Sequence, residues 1–206
     1  MNVQYTNSPK RAQRLDHASA LDLLVKAPMG ELMALAHAER MRRHPDGQVT
    51  FVYDTNPNYT NICVTQCRFC AFCRSAGDSE AYTLSPQIVA NRVEKAVAAG
   101  ATTVLLQGGH NPKIGLKDWL AYIQAIKSKT PNVHIHPFSP AEYVFMAQTE
   151  QCAVRDVLMA VYAEGIRTIP GGGAEILVED VRQQIDCAQG RERTDIQRQF
   201  RAAFGQ

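Results

Sequence analysis

No stretch of this chain approaches the ~20 consecutive apolar residues that a membrane-crossing helix needs. Charge of one sign is not in excess either. Lys and Arg number 22 against 20 Asp and Glu, a net +2, so no basic surface argues for a nucleic-acid partner. The polar stretch Met1–Asp16 has no apolar run of the kind that marks a secretion signal. The six cysteines are bunched rather than spread, the reverse of a secreted scaffold stapled by disulfides. These absences make a reduced, soluble, cytoplasmic protein the expectation, with neither membrane nor nucleic acid as partner. What is present, 206 residues of 45% hydrophobic content, suffices for one domain with a real core.

Four of the cysteines lie in Cys63-Val64-Thr65-Gln66-Cys67-Arg68-Phe69-Cys70 and, after a second C-x2-C step, at Cys73. Three thiolates can hold three irons of a cubane and leave the fourth iron open to a ligand, whereas four thiolates give an electron carrier or a structural zinc site. Structural zinc sites split their ligands into two distant pairs, which this run does not. The plain reading of Cys73 is a small half-buried thiol beside the motif.

Residues 1–47 read as an N-terminal arm followed by two short helices. Leu21, Leu24 and Val25 mark the first helix, and Leu32, Met33, Leu35 and Ala36 the second, which stops at His44-Pro45-Asp46-Gly47. The segment 48–185 then alternates strand and helix. Strands are expected at Gln48–Tyr53, Thr102–Gln107, Val133–Phe138 and Ile166–Ile169. Helices are expected after Ser85-Pro86 (apolar stripe Ile88, Val89, Val93, Val97), over Leu116–Lys129, from Ser139-Pro140-Ala141-Glu142 with its capping-box spacing, over Val154–Glu164, and over Val178–Ile185. Such alternation means parallel βαβ units, an α/β barrel or a doubly wound sheet. Residues 186–206 form a polar tail.

Ligands bind at the C-terminal edge of parallel sheets, and each expected strand runs there into a suggestive loop: the cysteines, Gln107-Gly108-Gly109-His110, His136-Pro137-Phe138-Ser139 and Pro170-Gly171-Gly172-Gly173. Paired glycines let backbone approach a ligand, or simply make a turn. His134 and His136 share one strand face. They could ligate zinc, but no carboxylate completes such a site. Contact with a polar substrate, or a satisfied place in the core, are the other readings. Glu175 could contact a ligand or cap a helix. Cys152 reads as a small buried residue, and Cys187 as uninformative.

The residues Asn58–Phe72, Gly77–Tyr82, Leu106–Gly109, His134–Pro140 and Pro170–Ile176 together resemble the futalosine-pathway branch of radical S-adenosylmethionine (SAM) enzymes. The resemblance covers roughly Leu15 to Ile185. It implies a radical SAM-type (β/α) barrel holding a 4Fe-4S cluster on Cys63, Cys67 and Cys70. It further implies SAM contacts from Phe69, Gln107, Gly108 and Gly109. Ser139, at the end of the third strand, is taken as a further cofactor contact, and His134, His136 and Glu175, read from the residues, are the catalytic candidates. The implied reaction is radical cyclisation of dehypoxanthine futalosine, a nucleoside-like small molecule, in menaquinone biosynthesis, with flavodoxin or ferredoxin as electron donor. The sister branches that make aminofutalosine and the deazaflavin cofactor share these motifs. Two departures stand out. Cys73 takes a place where the family has a non-thiol residue. Only about four parallel strands are expected where such barrels have six, so a partial barrel, truncated at its C-terminus and of doubtful activity alone, is the expected architecture.

Overall fold

The computed structural model describes residues 14–171 together with 178, 180, 181 and 184. Expectations for residues 1–13, Gly172, Gly173, Glu175, most of the last helix, Cys187 and the tail lie outside those residues. By its contacts the chain forms two compact units, residues 1–51 and 52–206.

In the first unit, helix α1 (His17–Lys26) starts where the Asp16 side chain accepts the Ser19 N–H at 2.7 Å. That bond satisfies one of the amides every helix start leaves without an internal partner. Helix α2 (Met29–Arg43) carries Arg40, Arg42 and Arg43 in its last turn, where cations complement the negative end of the helix. Neither helix has a buried residue.

The second unit is α/β. Strand β1 (Asp54–Thr55), helix α3 (Pro86–Ala98), strand β2 (Thr103–Leu106), helix α4 (Leu116–Lys129), strand β3 (His134–Pro137), helix α5 (Pro140–Thr149) and helix α6 (Val154–Ala163) follow in that order. The three strands are parallel and stand side by side as β1-β2-β3. Strand residues alternate between faces. Val104, Leu106 and Ile135 lie in one core cluster with Val89 and Val93 of α3, Trp119, Ile123 and Ile126 of α4, Met146 of α5 and Val157 of α6. The other face presents Thr103, Leu105, His134 and His136, half-buried or exposed. Among the described residues, the apolar helices of this unit cover one side of the sheet, as in an arc of a (β/α) barrel.

Local chemistry sets the element ends. Ser85 caps α3 by accepting the Ile88 N–H, with Pro86 in the first turn. Gly100, at φ +104°, closes α3, and Ala101 donates back to the Ala96 carbonyl at 2.9 Å. Ser139 and Glu142 form the expected capping box of α5.

The structure corrects three expectations. The first strand is Asp54–Thr55 and not Gln48–Tyr53. Asp54 faces Thr103 and the Thr102 N–H still donates to the Tyr53 carbonyl at 2.9 Å, but two steps before Asp54 the partner would be Ala101, whose N–H is already engaged by the α3 terminus. Phe51 is accordingly 88% exposed. The expected fourth strand, Ile166–Ile169, forms no ladder among the described residues. The Arg167 guanidinium occupies the Ile166 carbonyl at 2.8 Å, and Pro170 has no N–H to give. Its side chains still join the sheet: Ile166 is in the core and Ile169 packs against it. Ile88, counted in the apolar stripe of α3, is 45% exposed.

Truncation inside this core is costly because close-packed surroundings relax only in part. Ile123→Ala, at a fully buried position, should lose about 2–5 kcal/mol, read as a lower urea midpoint. Ile88→Ala should stay within about 0.5 kcal/mol.

Candidate functional site

The cysteine segment has no regular secondary structure, so its geometry comes from what holds it. Tyr59 accepts the Leu84 N–H at 2.8 Å, and Thr60 and Ile62 bridge to Thr83 and Arg74. The Cys63 N–H donates to the Arg74 carbonyl at 3.1 Å, and the Arg74 N–H donates to the Asn61 carbonyl at 2.9 Å. Asn61, 9% exposed, gives its side-chain amide to the Glu80 carbonyl and accepts the Tyr82 N–H. The stretch 74–84 is thus a splint for the cysteine loop.

A second set of contacts comes from the end of β2. The Val64 N–H donates to the His110 carbonyl at 3.0 Å, and Thr65 Oγ1 lies 2.6 Å from His110 Nδ1. Both side chains are buried, and the His110 ring is stacked on Phe145 at 4.8 Å. His110 therefore grips the loop between Cys63 and Cys67.

Gly108 and Gly109 sit where nothing larger fits. A Cβ on Gly108 would stand 2.6 Å from the Tyr59 ring, and one on Gly109 would strike the Ile62 carbonyl and the Cys63 side chain. Their N–H groups are both engaged, Gly108 to Glu142 and Gly109 to the Thr60 carbonyl. What this turn can offer a ligand is carbonyl oxygen, which suits an ammonium and not an anion.

Glu142 ties these pieces together. Its Oε1 accepts the Tyr59 hydroxyl at 2.9 Å and the Gly108 N–H at 3.0 Å, and its Oε2 accepts the Ser139 N–H at 2.6 Å. Trp119 Nε1 in turn donates to the Tyr59 oxygen at 3.1 Å. The carboxyl is 3% exposed. Burial pushes its pKa above the ordinary glutamate value of 4.5, against the opposing pull of its donors. Burial also raises the Tyr59 phenol, and the adjacent carboxylate adds to the effect. Ser139, expected to contact a ligand, uses its hydroxyl to accept the Glu142 N–H as a helix cap.

Cys63, Cys67 and Cys73 are half-buried and Cys70 is exposed. Phe69, 52% exposed, presents its ring to solvent. The Cys73 thiol donates to the Cys63 carbonyl at 3.4 Å, and its pKa is raised, first by burial and then by the charges of Cys63 and Cys70. Cys152, read as buried, is exposed. Gln107 is half-buried directly after β2. His134 Nε2 and His136 Nδ1 both meet Thr168 Oγ1, at 2.8 and 2.7 Å. They are satisfied by a hydroxyl, and no carboxylate joins them among the contacts of the described residues.

Three thiols on one loop are soft donors suited to iron–sulfur ligation. Among the described residues no three or more His, Cys, Asp or Glu side chains converge as a single-ion metal site does. The fit of these residues to a cluster rests on the chemistry of the donor set, three soft thiols on one loop.

The chain is 36% identical over 173 residues to cyclic dehypoxanthine futalosine synthase of Halalkalibacterium halodurans, an alignment spanning 84% of this chain and 47% of that protein. It is 38% identical over 172 residues to 5-amino-6-(D-ribitylamino)uracil–L-tyrosine 4-hydroxyphenyl transferase of Methanopyrus kandleri (83% and 46% covered). It is 42% identical over 178 residues to FO synthase of Nocardia farcinica (84% and 21% covered). The chain thus spans about half the length, or less, of the curated relatives it matches. No protein-family model matches it. Among solved structures it resembles methylornithine synthase with a TM-score of 0.67 at 18% identity, over 91% of this chain and 52% of that one. That likeness concerns the fold, a (β/α) barrel of which this chain supplies one arc.

Two outcomes follow for the site. Because the native state binds more protons than the unfolded state between the ordinary glutamate pKa and the raised one, stability should fall as pH rises through that interval. Glu142→Gln should abolish this component and, by setting an amide against three donors, cost roughly 1–3 kcal/mol; urea midpoints of both proteins across pH 4–8 would show it. Gly109→Ala should displace the loop at Ile62–Cys63, lose about 1–3 kcal/mol, and change the rate at which Cys63 reacts with a thiol reagent.

Proposed function

We propose that this chain, which belongs to the radical SAM superfamily, carries the cluster- and SAM-binding part of an enzyme that remodels a small nucleoside-like molecule. Cys63, Cys67 and Cys70 hold the 4Fe-4S cluster, and the observation that carries this reading is their place on one loop fixed by His110, Gly109 and the 74–84 splint. When bound, the cluster and SAM supply an electron and a 5′-deoxyadenosyl radical, the reactive species of this superfamily.

The chain's own residues do the rest. Carbonyl oxygen of the Gly108-Gly109 turn would receive the SAM ammonium, chiefly that of Gly108, since the N–H groups there are engaged and the Gly109 carbonyl already accepts the Asn111 N–H. The Phe69 ring, exposed on the same loop, would pack against the adenine. Gln107, at the end of β2, borders the same mouth. Ser139 serves through the capped start of α5 rather than through its hydroxyl. Cys73, bonded to its own loop, is not a ligand. Holding reactive groups together and keeping water away are the protein's share of such chemistry.

The substrate reading is cyclisation of dehypoxanthine futalosine for menaquinone, with a flavodoxin or ferredoxin as electron donor in the cytoplasm. It is supported by the 36% identity to the futalosine cyclase over 84% of this chain. A second reading is the deazaflavin-type reaction of the FO synthases, favoured by the higher 42% identity over 178 residues. Anaerobic incubation with dehypoxanthine futalosine, or with ribitylaminouracil and tyrosine, separates the two by product mass.

The test of the site is the EPR spectrum of the reconstituted, reduced chain with and without SAM. A cubane signal that shifts with SAM is expected. Cys63→Ala, Cys67→Ala and Cys70→Ala should each abolish it, while Cys73→Ala should leave it responsive to SAM. A signal lost in Cys73→Ala, or blind to SAM in the parent chain, would sink the three-thiolate assignment.

A further inference from the structure

His134, His136 and Thr168 form a unit that the cluster and SAM site do not use. Both imidazoles stand on the sheet face turned away from the helices, with centroids 5.6 Å apart, and both direct a ring nitrogen at the single Thr168 oxygen. A hydroxyl has one proton to give. The hydroxyl can donate to only one ring, so at least one of the two nitrogens must carry hydrogen; with Thr168 accepting from one ring and donating to the other, the line His136–Thr168–His134 is a continuous hydrogen-bonded path. The rings differ in access: His136 is half-buried next to the last residue of β3, at the C-terminal edge of the sheet, and His134 is exposed. The path thus runs from the edge where the ligand loops gather to solvent.

The pair also limits its own charge, since two imidazolium rings at this separation repel. Burial, and then His134, push the His136 pKa below the ordinary histidine range. Among the described residues, the other titratable group on this sheet face is Asp54 of β1, in the row of His134 but across β2. Strand β2 contributes none. In the segment beside β3, Arg167 is turned onto the Tyr162 ring at 3.6 Å. No fixed charge therefore sits against the pair among these contacts.

We propose that His136, Thr168 and His134 form a one-proton acceptor that takes a proton from a small molecule bound at this sheet edge and passes it to solvent. An X–H bond of the ligand breaks with its electron pair left on X, and the proton joins the free nitrogen of His136. The Nδ1 proton of His136 then moves to Thr168 Oγ1, and the hydroxyl proton moves to His134 Nε2. Exposed His134 finally releases one proton to water. No electron is transferred in these steps. The use of the pair during turnover rests on the functional reading above; its proton capacity does not.

The test is a pH titration of 15N-histidine-labelled chain by NMR, with His134→Gln, His136→Gln, Thr168→Val and Thr168→Ser for assignment and control. The expected pattern is that, at neutral pH, one of the two nitrogens facing Thr168 carries hydrogen and the other is bare. The pair should gain its two protons in separate steps. Thr168→Val should abolish the fixed donor–acceptor order and Thr168→Ser should keep it. Two rings that titrate independently, or a pattern unchanged in Thr168→Val, would overturn the proposal. In turnover, His136→Gln and Thr168→Val should still release 5′-deoxyadenosine while product per 5′-deoxyadenosine falls roughly 10²–10⁴-fold. An unchanged ratio would also overturn it. A parent chain that releases no 5′-deoxyadenosine would count against the functional reading, while the NMR pattern would still decide the pair.

Discussion

The carboxylate of Glu142 is the constraint on which the rest of this site depends. A charged group removed from water is tolerated only when its lone pairs are answered, and here they are answered from three directions. Tyr59 comes from the chain that enters the cysteine loop, Gly108 from the end of β2, and Ser139 from the end of β3. Each of these segments lacks regular pairing of its own. By gathering their donors, Glu142 converts three loop ends into one surface. The same interaction anchors Trp119, and with it the α4 face of the core, through the Tyr59 oxygen.

Close approach completes what the carboxylate begins. The Gly108-Gly109 turn presses against Tyr59, Ile62 and Cys63 with no room for a side chain. His110 then continues the chain into the loop and holds Val64 and Thr65. The scaffold's rigidity reaches the thiols through backbone and ring contacts, and the thiol-bearing residues themselves remain half-buried or exposed. A site that must admit a ligand while keeping its geometry is well served by this division. The packing lies behind the loop and the reactive atoms lie in front.

Much of this was legible in the sequence, because much of it is local. The cysteine spacing, the capping serines of α3 and α5, the closing Gly100 and the apolar periodicity of α4 are all set by residues a few positions apart. The strands β2 and β3 fall inside the expected stretches for the same reason. What escaped is long-range. The Glu142–Tyr59 bond joins positions 83 residues apart, and Thr65–His110 joins positions 45 apart. No local pattern announces such a bond, and Glu142 read only as half of a capping box. The misplaced first strand has the same origin, since its pairing before Tyr53 is blocked by the engaged N–H of Ala101 on a different element. The missing fourth ladder reflects competition for a carbonyl by the Arg167 side chain. Thr168 carries no signal of its own and gains meaning only beside β3.

The sequence distance inside the central node also has a consequence in time. A ribosome adds about 5–20 residues per second, so the 83 residues separating Tyr59 from Glu142 take roughly 4–17 s to synthesise at that pace. For most of that interval, from Cys73 onward, the four clustered thiols are already on the nascent chain and the group that fastens their loop does not yet exist. The sheet order β1-β2-β3 follows the order of synthesis, so β1 and β2 can pair while the loop is still slack. For some seconds in its life, every copy of this protein exposes cysteines that its finished fold would hold in place.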